Sequence, residues 1–198
     1  MSKLVRIIRS IIRLPGKLVN VLILKLNLVE YGANLRINGR IKVFSRGKIT
    51  IGNDVTMNSS LKSNPIGGQT RTTMLVKKGG RIRIGNRVGI SNASLVAFSS
   101  ITVEDDVYIG AGCKIYDTDF HSLDYEERVH QGDSNIAVSD VLIKKGAFIG
   151  AHSILLKGII IGEKSIIGAG SVVTRNVPDG EIWAGNPAKL IRKVDPVL

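Results

Sequence analysis

The chain has 198 residues, a single cysteine, 5% aromatic residues and a formal net charge of +12. That length accommodates one domain with a sizeable core, while hydrophobic residues at 43% exclude a mostly disordered chain and a lone cysteine excludes an internal disulfide framework. The charge points to anionic partners, and the scarcity of aromatics argues against a stacking platform for nucleic acid.

Residues 1–32 read as a basic, amphipathic segment. Lys3, Arg6, Arg9, Arg13, Lys17 and Lys25 all precede the first acid, Glu30. Leu4, Ile7, Ile8 and Ile11 have helical spacing, with Arg6, Arg9 and Arg13 on the opposite face. Two readings stand: a helix packed on the following domain, or contact with an anionic membrane surface through residues 1–28. The apolar run Leu18–Val29 is interrupted by Asn20, Lys25 and Asn27 and is too short to span a bilayer. No small-x-small cleavage site follows it, so no secretory signal is expected.

A sixfold period begins near Ala33 and continues to about residue 180. Ile37, Val43, Ile49, Val55 and Leu61 fall in phase, with Ile51 and Met57 at the companion position. Residues 62–77 break the pattern and are expected to be irregular coil or a protruding loop. The phase returns at Ile82, Ile84, Val88 and Ile90, slips by one residue near Val96–Ala97, and resumes through Val103, Val107, Ile109 and Ile115. A second break covers residues 121–135. The most regular block is Ile143–Val177, where an aliphatic residue recurs at every sixth position, often followed by Gly. Such a period means short strands and bends, three to a triangular coil, with roughly six coils stacked by strand pairing. In the tail, 181–198, Leu190 and Ile191 are expected to pack as a short capping helix or strand.

Three histidines carry the candidate chemistry. An imidazole near its ordinary pKa suits a proton-abstracting role. His121 stands where the repeat breaks into a loop, a usual place for a reacting group. Asp117 and Asp119 flank it, and either could orient the imidazole or serve loop-turn chemistry. His130 lies in the same acidic loop, and His152 falls outside the inward phase. Glu127 belongs to that loop and could hydrogen-bond acceptor hydroxyls. Cys113 faces inward and reads as a core thiol. The histidines lack the close pair of a zinc site, so no metal is expected.

The repeats resemble those of the hexapeptide-repeat acyltransferases, which fold as a left-handed parallel β-helix. The resemblance covers about residues 33–194. "IIGAGSVVTRNVPDGEIWAGNPAKLIRKV" is similar to the C-terminal end of the sugar O-acetyltransferases of that family. "KIYDTDFHSLDYEER" is similar to the active-site loop of members from capsule, lipopolysaccharide and exopolysaccharide biosynthesis. The resemblance implies an all-β, left-handed β-helix with a short N-terminal helical segment and a C-terminal cap. It implies His121 as general base, acetyl-CoA as co-substrate, and a homotrimer with active sites between subunits. By the same resemblance Gly150, Ala151 and Ala169 line a pantetheine groove, Phe148 stacks near the cofactor, and Thr174, Arg192 and Lys193 hold its adenine and phosphate end. Asn92 falls where some members contact the acceptor, although asparagine also ladders in solenoid turns.

The expected function is acetyl transfer to a sugar hydroxyl of a surface-polysaccharide or glycolipid precursor, on a glycan or a lipid-linked or nucleotide-linked sugar. Transfer to the nitrogen of an amino sugar and a non-catalytic β-helix scaffold are the alternatives. The expected location is the cytoplasm, at the inner membrane surface if the N-terminus binds lipid. No nucleic-acid partner is expected.

Overall fold

The computed structural model describes residues 16–130 and 134–194. The segment carrying Leu4, Ile7, Ile8 and Ile11 therefore lies outside the described residues. Helix α1, residues 16–26, precedes the repeats. Three parallel stacks of strands then form a triangular prism, and the coils wind left-handed.

Sheet A stacks β1 (Glu30–Tyr31), β4 (Lys48–Ile51), β7 (Arg81–Ile84), β10 (Ser100–Val103), β13 (Val141–Ile143) and β16 (Ile160–Ile161). Sheet B stacks β2 (Arg36–Gly39), β5 (Thr56–Ser59), β8 (Gly89–Ser91), β11 (Tyr108–Ile109), β14 (Phe148–Ile149) and β17 (Ile166–Ile167), then the tail hairpin β19 (Glu181–Gly185) and β20 (Ala188–Lys193). Sheet C stacks β3 (Lys42–Ser45), β6 (Thr73–Val76), β9 (Ser94–Ala97), β12 (Lys114–Tyr116), β15 (Ile154–Leu155) and β18 (Val172–Val173). Every coil visits A, B and C in turn, which gives the six coils the period implies.

The core is the stack of in-phase aliphatic side chains. Ile49, Ile82, Ile101 and Val141 align on sheet A, and Ile90, Ile109, Ile149 and Ile167 on sheet B. All are at most 2% exposed. Each rung therefore buries several branched side chains, at roughly 1.5–3 kcal/mol apiece. Gly sits beside many of them because backbone from the next coil lies against its position. A Cβ on Gly52 would meet the Gly85 carbonyl group at 2.6 Å.

The corners are tight turns with one residue in the left-handed region. At the corner between sheets A and B these are Asp54, Arg87 and Asp106, with φ of 58, 56 and 62°. Asp tolerates that conformation better than most residues. A side-chain ladder runs up the same corner. Asn53 N–H donates to Asn86 Oδ1 at 2.9 Å, and Asn86 N–H donates to Asp105 Oδ1 at 2.8 Å. These bonds satisfy backbone donors that strand pairing leaves out at the bend.

The structure corrects four expectations. Residues 73–76, read as coil, form β6 with Met74 and Val76 buried, so the insertion ends sooner than expected. Leu61, read as an inward residue, is 51% exposed at the start of that insertion. The second break is wider than 121–135: Thr118 and Val138 already pair antiparallel at its neck. The tail forms β19 and β20, as one expectation had it, but Leu190 and Ile191 stay 50% and 62% exposed and only Ala188 joins the core. The period marks inward residues well inside coils, but a corner insertion shifts the count without changing the local pattern.

Replacing Gly52 by Ala would press a methyl group on the Gly85 backbone with no side chain able to yield. The expected loss is about 1–3 kcal/mol, read as a lower urea midpoint with an unchanged far-UV spectrum.

Candidate active site

His121 sits just beyond the neck of the second insertion, at the corner where sheet C passes to sheet A. The neck is zipped. Asp119 N–H donates to the Ala137 carbonyl at 3.1 Å and Ser139 N–H to the Asp117 carbonyl at 2.9 Å. Phe120, in the left-handed region at φ 64°, turns the chain so that its ring packs edge-on against Tyr116 (5.2 Å) and Phe98 (6.0 Å). His121 follows with its side chain exposed. The base candidate is thus a short step from a braced stem rather than on a long free loop.

Its two flanking carboxylates have different tasks. Asp117 is fully buried, and its oxygens accept from Phe98 N–H at 2.7 Å and Ser99 N–H at 2.8 Å. It clamps the corner of the coil below. Asp119 Oδ2 lies 2.9 Å from Lys157 Nζ, an ion pair that ties the neck to the coil above, at an angle too poor for a directed hydrogen bond. Lys157 is the residue that sequence reasoning missed here. Only the stacking of coils brings it to Asp119.

The cofactor candidates lie elsewhere on the prism. Gly150, Ala151 and Ala169 belong to the corner between sheets B and C. Ala151 and Ala169 stack one coil apart, as Gly170 N–H donates to the Ala151 carbonyl at 2.8 Å. A Cβ on Gly110 would meet Ala151 N at 2.5 Å, one on Gly150 would meet Ala169 N at 2.5 Å, and one on Gly168 would meet Ala184 Cβ at 2.8 Å. The column of small residues therefore continues upward into Ala184-Gly185 of β19. The Ala-Gly pair in the tail was the available signal for this extra rung. Phe148 projects from sheet B, 46% exposed, paired in register above Tyr108. Arg192 and Lys193 stand on β20 opposite Ile182 and Glu181. Thr174 is exposed at the C–A corner, on the same side of the prism as His121.

Asn92 and Glu127, expected at the acceptor, are both engaged by the scaffold. Asn92 is fully buried at φ 48°, and its Nδ2 donates to the Thr70 carbonyl at 2.6 Å, which holds the insertion 60–72 against the B–C corner. The solenoid ladder foreseen for it runs instead through Asn53, Asn86 and Asp105. Glu127 accepts from Ser122 Oγ at 2.6 Å and from Asn135 Nδ2, bracing the loop around helix α2 (Tyr125–His130). Asp124 caps that helix by accepting from Glu127 N–H at 2.9 Å.

His130 lies on α2, 3.9 Å from Glu126. His152 occupies the B–C corner at φ 61°, and its Nε2 is 3.2 Å from the Ile66 carbonyl at the tip of the insertion 60–72. Cys113 is buried as expected, with its thiol donating to the Gly150 carbonyl at 3.1 Å. Burial pushes that thiol up to about 11. Among the described residues no group of three or more acidic, cysteine or histidine side chains could hold a metal ion.

His121 and the small-residue column thus lie at opposite edges of sheet C, a strand's width apart, roughly 15 Å at the rise of an extended chain. A shallow pocket lined by Arg83, Thr102, Glu104, Asp105 and Lys145 lies at the A–B corner and includes neither set. Between the two edges, the outer face of sheet C carries one apolar column and a second that runs Lys42, Thr73, Ser94 and Lys114 before it turns apolar. Phe44, Leu75, Val96 and Tyr116 align in one column, and Ile154 and Val172 continue the other above Lys114.

Comparisons with known proteins agree with this architecture. Residues 140–175 match the family model described as bacterial transferase hexapeptide (six repeats). A segment of 49 residues, 25% of this chain and 26% of the relative, is 41% identical to a dTDP-3-amino-3,6-dideoxy-alpha-D-galactopyranose 3-N-acetyltransferase of Aneurinibacillus thermoaerophilus. The match spans about a quarter of the length of such curated relatives. A hexapeptide-repeat acetyltransferase of Vibrio cholerae O1 biovar eltor, solved with acetyl-CoA, superposes with a TM-score of 0.55 at 29% identity, over 62% of this chain and 66% of that one. The N-acyltransferase AntD of Bacillus cereus, solved with dTDP and 3-hydroxybutyryl-CoA, gives a TM-score of 0.67 at 22% identity over 86% of both chains. Residues 140–175 thus carry hexapeptide repeats, and the chain has the left-handed β-helix fold seen in these acyltransferases.

Two tests follow from this geometry. Asp117→Ala removes the acceptor of two corner N–H groups and is expected to lower stability by about 2–4 kcal/mol, measured by denaturant titration. For Cys113, the folded thiol titrates near about 11 against an ordinary 9.0, so the unfolded state loses its proton first. The stability of the wild type relative to Cys113→Ala should hold below about pH 9 and fall as pH rises toward about 11.

Proposed function

We propose that this hexapeptide-repeat chain is an acetyl-CoA-dependent O-acetyltransferase acting on a sugar hydroxyl of a surface-polysaccharide or glycolipid precursor, as a homotrimer with its active sites between subunits. The observation that carries the reading is the placement of a braced, exposed His121 at one edge of sheet C, whose outer face holds an apolar column, and a column of small residues at its other edge. Three copies turning sheet C toward a common axis would set the C–A corner of each beside the B–C corner of the next. That arrangement would bury Phe44, Leu75, Val96, Tyr116, Ile154 and Val172, and would bring the base of one chain to the groove of its neighbour.

The reaction then needs little else. A neutral His121 takes the proton of the acceptor hydroxyl as its oxygen attacks the thioester carbonyl. The tetrahedral intermediate collapses, the carbon–sulfur bond breaks, and the imidazolium returns its proton to the departing thiolate. Asp119 and Lys157 fix the neck from above and Asp117 fixes the coil below, so His121 is positioned by ties to two neighbouring rungs. On the other edge, Gly150, Ala151, Gly168 and Ala169 leave backbone groups accessible to the amides of the pantetheine arm. Phe148 offers an aromatic surface, and Arg192 and Lys193 offer charge for the nucleotide end, while Thr174, on the His121 side, would reach it from the neighbouring chain. Transfer to the nitrogen of an amino sugar is the second reading. It is favoured by the N-acetyltransferase name of the Aneurinibacillus relative and by the dTDP bound to AntD. A nucleotide-linked sugar is an acceptor of the proposed class in either case.

His121→Ala should lower turnover by about 10²–10⁴ while calorimetry still shows coenzyme A binding. Ala169→Trp should abolish that binding. When the two inactive proteins are co-expressed, mixed trimers should regain part of the activity, because some sites then draw an intact histidine and an intact groove from different chains. Near-normal turnover of the histidine variant would overturn the base assignment; no recovery in mixtures would overturn the shared site. Mass spectrometry of products from hydroxyl- and amine-bearing acceptors decides between oxygen and nitrogen.

A further inference from the structure

Helix α1 carries its polarity the wrong way round for a helix on a water-exposed body. The side docked on the first coil holds Asn20, 3% exposed, and Leu24, 2% exposed. Asn20 Nδ2 donates to the Gly39 carbonyl at 2.8 Å and its Oδ1 accepts from Ile41 N–H at 3.2 Å. Just past the helix, Asn27 Oδ1 accepts from Ser45 N–H at 2.9 Å. These bonds fix both the position and the rotation of the helix. The opposite side presents Leu18, Val21, Leu22 and Leu26, which are 66, 52, 55 and 73% exposed. A surface helix ordinarily turns its apolar stripe to the core and its polar side to water. Here two asparagines join Leu24 on the protein side, and four apolar side chains face out.

The outward side of the helix and the coil it sits on are also basic. Lys17 and Lys25 project from the helix itself, and Arg40 and Arg46 flank the backbone groups that Asn20 and Asn27 grip; all four are exposed. The first acid in the chain, Glu30, is paired with Lys48 at 3.1 Å. A second copy of the same face would bring these cations against one another with no acid to meet them.

We propose that the outward face of α1 docks on an anionic lipid surface, with Leu18, Val21, Leu22 and Leu26 entering the headgroup boundary while Lys17, Lys25, Arg40 and Arg46 meet lipid phosphates. Among the described residues no helix is long and apolar enough to cross a membrane, so this contact lies on the surface. The rigid seat of the helix means that no folding has to accompany binding, in contrast to disordered amphipathic anchors. The inference concerns the end of the prism away from His121 and stands apart from the identity of the reaction.

The test is co-sedimentation of the full chain with vesicles of phosphatidylcholine alone and of phosphatidylcholine mixed with phosphatidylglycerol. The wild type should pellet with the mixed vesicles at low salt and be released at high salt. Leu18→Ser/Val21→Ser/Leu22→Ser/Leu26→Ser should weaken pelleting at least tenfold with an unchanged circular dichroism spectrum. Should that protein fail to fold, Leu22→Ser/Leu26→Ser supplies the same comparison. Arg40→Glu/Arg46→Glu should weaken binding to the mixed vesicles. A wild type that stays in the supernatant at low salt overturns the proposal, as does a leucine variant that pellets like the wild type. Sedimentation velocity covers the other occupant: self-association that the leucine variant loses, without vesicle binding, would assign the face to a second copy and overturn the lipid surface.

Discussion

Each coil must lie on the one before it at the spacing of a parallel ladder, roughly 4.8 Å. That separation governs the molecule more than any single contact. It fixes what fits between rungs: branched aliphatics pointing inward, where Ile49, Ile82 and Ile101 touch in series, and very little at certain corners. Gly52 and Gly150 are small because backbone from the next rung already occupies the space where a Cβ would stand. Asp54, Arg87 and Asp106 turn through the left-handed region because the bend must close within a few residues if the next strand is to start in register.

The same constraint decides where novelty is allowed. A strand cannot lengthen without breaking the ladder, so extra residues leave at corners and return to the register they left. The insertion 60–72 departs between sheets B and C, and the wider one departs between sheets C and A. Each is secured by bonds to other rungs. Asn92 grips Thr70 from one coil up, and Lys157 reaches Asp119 from the coil above. Chemistry that needs irregular backbone thus appears at the edges of a rigid face, and that face is left bare between them. On the proposed reading these edges are two half-sites, and a neighbouring chain would close them.

Much of this could be read from the sequence, and the reason is radial. A period of six reports whether a side chain points in or out, so the buried set around Ile143–Val177 and the inward Cys113 were legible, as were the stacked positions of Ala151 and Ala169. The period does not report which corner a residue occupies once an insertion has interrupted the count. For that reason β6 was hidden inside an apparent loop, and the separation of His121 from the small-residue column could not be seen. Asn92 and Glu127 have the chemistry of acceptor contacts, and the sequence does not show that Asn92 also holds Thr70, 22 residues away, or that Glu127 braces its own loop. Helix α1 shows the limit most directly. Its leucines and asparagines suggest which sides differ, while only the seat on Gly39, Ile41 and Ser45 reveals which side faces water.

Stacked rungs also make the prism a graduated spacer. The neck that carries His121 leaves the fourth coil, three ladder spacings above the coil on which α1 is seated, a height of about 14 Å at this pitch. If α1 lies on a bilayer, the reacting group is held at a fixed altitude above it, within reach of a sugar carried on a phosphate-linked lipid and clear of the headgroups themselves. Adding or removing one complete coil below that neck would move the altitude by a single step and leave every corner of the site unaltered.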